Sequence, residues 1–192
     1  MTTLNGLPAH ILLVHAVVVL LPLASLLLIL CAVWPAARRR LAGPSALLSL
    51  IVVALVPVTT DAGTWLESHV ASTPLIRTHT ALGDTAIFVA IPVAVLALVV
   101  WWRGREAAAL SQLAARPADP DVAGDDATSS VAVITEKPAA HRRTILAPAS
   151  AALSVIIAVL SIAAAGAAMY DVYQIGDSGA QATWQGQVNS AP

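Results

Sequence analysis

His10, His15, His69 and His79 are the side chains of this chain best equipped for chemistry, and Asp61, Glu67, Asp84, Asp171 and Asp177 lie in the same stretches of sequence. Neutral imidazole binds zinc or copper, holds haem iron from an axial position, and with carboxylates can pass protons. His10 and His15 are five residues apart, which on an ideal helix turns their directions roughly 140° from each other. They cannot grip one ion as an i, i+4 pair would. A shared ion draws its other ligands from other segments, so the candidate metal set is His10, His15, His79 and Asp177, and the candidate axial pair for a haem is His15 with His79. A histidine inside a span usually faces the bundle interior, which makes His15 the most informative of the four. The competing structural reading is hydrogen bonding to neighbouring helices, worth roughly 0.5–2 kcal/mol per side chain. His69 reads as solvated, and His141, beside Arg142 and Arg143, as part of a basic membrane-facing patch.

Enzymatic chemistry finds no foothold in these residues. The chain has no phosphate loop, nucleophile elbow or paired zinc-helix motif, and Gly176-Asp177-Ser178-Gly179 lacks the glycine spacing of a hydrolase elbow. That tetrapeptide reads as a tight turn. Cys31 stands alone inside an apolar run, which excludes an intramolecular disulfide and reads as a small core hydrophobe.

The elements that must position the histidines follow from composition. Apolar residues make up 58% of the 192 residues and charged ones 11%, with a mean hydropathy of +0.80, so the expected class is an all-α integral membrane protein with the lipid bilayer as its main partner. A net charge of −1 leaves no basic field for nucleic acid. Uncharged runs at Ile11–Trp34, Ser45–Thr60, Thr85–Trp102 and Ile145–Tyr170 predict four spans in a four-helix bundle, with Pro8 as a first helical residue and Gly43-Pro44 as the turn before the second span. Residues 1–102 hold the first three spans, with a connection at 61–84. Residues 103–144 read as a disordered loop, with a short helix at Glu106–Ala115 extending the third span. Residues 145–170 form the fourth span and 171–192 a tail. Thr73-Pro74 is a cap and first-turn proline from which the third helix can begin early. Asp61, Trp65 and His69 share a face if the second helix passes Gly63. Pro22 and Pro92 invite kinks, and the small residues from Ser161 through Ala168 suit close helix packing.

Nine basic residues (Arg38, Arg39, Arg40, Arg103, Arg105, Arg116, Lys137, Arg142 and Arg143) fall on one side of this four-span arrangement, and Arg77 alone on the other. The arginine side is therefore expected to be cytoplasmic, both termini extracytoplasmic, and the protein a multi-pass component of the plasma (inner) membrane. The four histidines then gather at the outer face.

The opening Gly6-Leu7-Pro8-Ala9-His10 with Leu13-Val14-His15, the tail Ile175-Gly176-Asp177-Ser178-Gly179-Ala180 with Trp184, and His79 before the third span resemble the bacterial four-helix membrane family catalogued as domain-of-unknown-function 2231. The resemblance implies the bundle fold and a candidate site without supplying a reaction. Many members of that family carry histidine where this chain has Asp177, a departure that weakens a haem or soft-metal site using that position. The expected function is a non-enzymatic membrane module with an outward histidine/carboxylate site for a metal ion or haem. The alternatives are a carrier of protons or a small solute, and an accessory subunit packed against other membrane proteins.

Overall fold

The computed structural model of the chain describes residues 3–4, 7–115 and 150–185. A short antiparallel ribbon, β1 (Thr3–Leu4) with β2 (Leu7–Pro8), leads into five helices: α1 (Ala9–Val33), α2 (Pro35–Glu67), α3 (Pro74–Gly83), α4 (Ala86–Ala114) and α5 (Ala151–Trp184). Residues 116–149, with His141 and most of the expected loop, lie outside the described residues, as does the chain after residue 185. α1, α2, α4 and α5 pack in that cyclic order, and α3 rests mainly on the end of α5. α1, α2, α3 with α4, and α5 make four stretches long and apolar enough to cross a membrane. The protein is a multi-pass membrane bundle.

The side-chain distribution fits hydrocarbon surroundings. Ala24, Ser25, Ala97 and Ser161 are fully buried, whereas Phe88, Val155, Val159 and Ile162 point outward. Between helices bathed in lipid no hydrophobic drive operates, so small interior side chains let backbones approach and gain van der Waals contact, while large apolar ones meet acyl chains at no cost. The buried positions of α5, Ile157, Ser161, Ala165, Ala168, Ile175 and Ser178, follow steps of three, four and seven residues. Ser161, Ala165 and Ala168 of the small-residue run are therefore spent inside the bundle, and Gly166 faces out with nothing within 4 Å of a Cβ placed there.

Pro8 closes β2 instead of opening α1, and three further expectations about boundaries are corrected. The turn before α2 is Trp34-Pro35 and not Gly43-Pro44; Pro44 sits inside α2. Trp34 is extended (φ −115°, ψ 110°), as the residue before a proline prefers, and Pro35 takes the first helical position. Pro35 has no N–H to offer the Cys31 carbonyl four residues back, and Arg38 supplies the missing donors: its Nε donates to Cys31 O at 2.9 Å and its Nη2 to Ala32 O at 2.7 Å. A cation thus closes the C-terminus of α1, where the helix dipole favours one. Gly104 leaves room beside it, with Arg38 Cγ 3.7 Å from where a Cβ would stand. Second, residues 103–114 continue α4 instead of beginning a disordered loop, in line with the expected Glu106–Ala115 extension. Arg103 there is buried, donating to Ser154 Oγ at 2.9 Å. Third, the chain makes no turn at Gly176-Asp177-Ser178-Gly179. α5 runs unbroken through Gly176 and Gly179 to Trp184.

The expected early start of the third helix holds. Thr73 Oγ1 accepts from Ile76 N and Pro74 follows as the first helical residue. At Asp84-Thr85 the helix tightens, with Thr85 N and Phe88 N bonding three residues back, which separates α3 from α4.

Removing the α1 cap tests this account. Arg38→Ala leaves two carbonyls without their charged donor and should destabilise the bundle by about 1.5–3 kcal/mol in reversible unfolding in mixed micelles, whereas exposed Arg39→Ala should stay within about 0.5 kcal/mol.

Candidate functional site

The end of the bundle opposite Arg38, Arg103 and Arg105 carries His10, His15 and His79 around one cavity of about 760 Å³, a volume within the range of small-molecule sites. α1, the last turns of α2 and α5, and α3 form its walls. Roughly 20 residues cross the hydrocarbon layer; counted from Arg103 this reaches Gly83, and counted from Leu41 along α2 it reaches Asp61. A hydrocarbon layer laid from the arginine end on that count would end beside the cavity, with α3 beyond it.

Two glycines make the seats for two imidazoles. A Cβ on Gly63 would stand 2.9 Å from His10 Cε1, and a Cβ on Gly179 would stand 3.0 Å from His79 Cε1. The first is too short for a side chain and the second would make the ring give by a few tenths of an ångström, so each ring lies against a helix backbone. Gly63, expected as a threat to α2, and Gly179, expected in a turn, are helical residues whose missing side chains admit the rings. Helical glycine costs about 1 kcal/mol relative to alanine, and here it yields close approach.

Each ring is also held by its Nδ1. His10 Nδ1 bonds the Thr59 carbonyl oxygen at 3.0 Å. His79 Nδ1 bonds Ser178 Oγ at 3.0 Å, and the Ser178 hydroxyl donates to Ile175 O, so its oxygen is left to accept from His79. His15 Nδ1 bonds the Ile11 carbonyl of its own helix. All three partners are acceptors, hence Nδ1 carries the proton, and in the neutral ring Nε2 keeps its lone pair. Nε2 of His10 and of His15 has no hydrogen-bond partner among the described residues, and His79 has, besides Ser178, the Ile175 backbone. The His10 and His79 rings stand 6.4 Å apart between centroids in an edge-on arrangement. Burial lowers the basicity of His79, the His10 ring adds to this, and a contact with the Ile175 backbone opposes it.

The expected ligand set is only partly assembled. His10 and His79 come together. His15 is exposed at the side of α1, not turned into the bundle interior as expected, although it borders the same cavity. Asp177 is on the exposed face of α5, where it accepts from Gln181 Nε2 at 2.8 Å, because an unbroken helix points positions 177 and 178 in different directions. His69, in the turn just past the end of α2, stacks on Trp65 at 4.1 Å. Among the described residues no group of three or more His, Cys, Asp or Glu side chains is arranged to hold a metal ion. Beyond the expected residues the site uses Gly63, Gly179, Ser178 and Thr59. Deeper along the same face of α5, Asp171 accepts from Thr85 Oγ1 at 2.7 Å.

Comparison with protein-family models, curated proteins and solved structures finds no match to this chain. Its function is argued from the site itself.

Two outcomes follow. Gly63→Ala and Gly179→Ala gain up to about 1 kcal/mol of helix propensity and lose a hydrogen bond worth about 0.5–1.5 kcal/mol, so stability should barely move while the histidine ring resonances shift; Gly166→Ala should stabilise without any such shift. The lowered basicity of His79 means that the folded state prefers the neutral ring. Stability should be intact above the ordinary imidazole value of 6.5 and decline as pH falls below it, because the unfolded chain binds the proton first. Thermal unfolding across that range should show the decline, and His79→Asn should flatten it.

Proposed function

We propose that this protein is a non-enzymatic binding module of the plasma membrane, with its arginine end cytoplasmic, both termini outside, and a ligand site at the outer face built on His10 and His79. The observation that carries the reading is the double fixation of each ring, by a glycine seat and by Nδ1, which leaves an Nε2 lone pair beside a cavity. Histidines that merely tie helices together have no need of bare nitrogens or of an open cavity next to them. Second-group hydrogen bonds that set the tautomer of an imidazole are the usual support for a ring that binds through its other nitrogen. The kinship with the domain-of-unknown-function 2231 family belongs to the same proposal and rests on the opening and closing motifs.

A transition metal or a haem is the version of this reading with its own spectroscopic signature. The pair that supports it is His10 with His79, in place of His15 with His79. His10 and His79, their ring centres 6.4 Å apart, are the residues that would hold such a group, which would supply redox or Lewis-acid chemistry there. A carrier function gains less support, since below the cavity the interior is closed by Leu21, Leu28, Val52 and Val93, with serine hydroxyls as the polar groups at depth.

Purified protein should show either a Soret band or stoichiometric metal that disappears in the His10→Gln, His79→Gln double variant; absence of both removes the metal and haem version. Sidedness is checked separately, because the one native thiol, Cys31, is buried. Thr64→Cys should react with an impermeant maleimide on intact cells and Ser111→Cys only after lysis, and the reverse result would turn the site toward the cytoplasm.

A further inference from the structure

The cavity has a side as well as an end. Ile11 and His15 border it and are exposed on the flank of α1, and the cavity wall continues down α1 to Val18, about 12 Å below His10 at about 1.5 Å per residue. That depth lies within the hydrocarbon layer counted above. At the other extreme Thr64, Glu67 and Trp184 border it at the outer end of the bundle. A molecule filling this space meets aliphatic side chains at its deep end and polar groups at its shallow end, and the flank by His15 opens to the acyl chains.

The polar groups are of one kind. The imidazoles offer Nε2 lone pairs, Glu67 and Asp84 offer carboxylates, and neither lysine nor arginine lines the cavity among the described residues. An acceptor-rich site of this sort leaves the phosphate of a phospholipid or the carboxylate of a fatty acid without a partner and facing like charge, at a desolvation cost nothing offsets. It suits a head that donates hydrogen bonds. The imidazoles are neutral acceptors set among the apolar side chains of Ile11, Val14, Ile76 and Ile175. The favoured donor is therefore neutral, because a charged head would lose its hydration beside that wall.

We infer that the cavity takes up a hydroxyl-bearing amphiphile from the bilayer, an alcohol or phenol on an apolar body, with its O–H donating to Nε2 of His10 or His79. This rests on the proposed binding role of the histidine pair and names its ligand class. The hydroxyl head lies at headgroup level and the apolar body runs along Val14 and Val18 of α1. Entry is lateral, past Ile11 and His15.

The test uses the full chain in phosphatidylcholine nanodiscs, titrated by calorimetry with 4-dodecylphenol, dodecanol, the methyl ether of the phenol, dodecanoate and dodecylammonium. The phenol, the alcohol or both should saturate one site, and the ether, which keeps the body and loses the donor, should bind at least tenfold more weakly. Gly179→Ala, which moves the His79 ring while leaving the helix intact, should weaken the hydroxyl ligand by a similar factor and leave the ether unchanged, so the result does not depend on a histidine variant that fails to fold. Equal binding of phenol and ether, or binding of dodecanoate or dodecylammonium as tight as that of the hydroxyl compounds, overturns the inference. If none of these molecules binds but haem or a metal does so through His10 and His79, the ligand class is wrong and the binding role stands. If neither kind binds, both fall.

Discussion

Backbone amides carried into hydrocarbon have no water to bond, so each must be satisfied within its own helix, and every feature of this bundle is a consequence of meeting that demand or of handling the places where it fails. It fails first at proline. Pro35 ends α1 by withholding an N–H from Cys31, and the chain answers with the guanidinium of Arg38, which reaches back to bond Cys31 O and Ala32 O. Because that repair needs a long cationic side chain three residues after the proline, the α1–α2 hairpin and one of the orienting positive charges are the same device. Arg103 sits close by, bonded to Ser154 across the α4–α5 contact. Arg105, 5.2 Å from the Trp101 ring centre, completes an end of the bundle built on arginine, serine and tryptophan.

The opposite end is organised by acceptors. Carbonyl and hydroxyl oxygens of Thr59, Ser178 and Ile11 take the Nδ1 protons of three imidazoles. The spare capacity of the rings is thereby left as lone pairs. The glycines at 63 and 179 give up helix propensity for this, and α5 tolerates two glycines in its last three turns because packing against α1 and α3 supplies what propensity lacks. One end of the molecule is rich in fixed cations, the other in bare acceptors, and the two are separated by an interior of alanine, serine and a few branched side chains.

Much of this was legible in the residues. Long uncharged runs, the capping pair Thr73-Pro74 and the one-sided basic residues led to four spans with the histidines gathered at one end, and His10 with His79 stood among the candidates. Errors clustered where a local signal was strong and a tertiary one overrode it. Gly43-Pro44 looks like a turn, yet Trp34-Pro35 is the pair whose broken ladder finds a donor. Gly176-Asp177-Ser178-Gly179 looks like a turn, yet Ser178 and Gly179 are where α5 meets His79. His15 is turned to the flank because His10 takes the place beside Gly63, and five residues of helix rotate the next ring away from it.

Hydropathy, charge placement and proline chemistry are properties of short stretches of chain, and for that reason the sequence by itself determined the class, the number of spans and the end at which the imidazoles gather. Which nitrogens are left bare, which glycines admit a ring and which carboxylate turns away are decided by contacts between residues 49 and 99 positions apart, such as His10 with Thr59 and His79 with Ser178. No local pattern encodes such contacts, because they depend on the rotation of each helix about its axis, and that rotation is set only when all four helices pack.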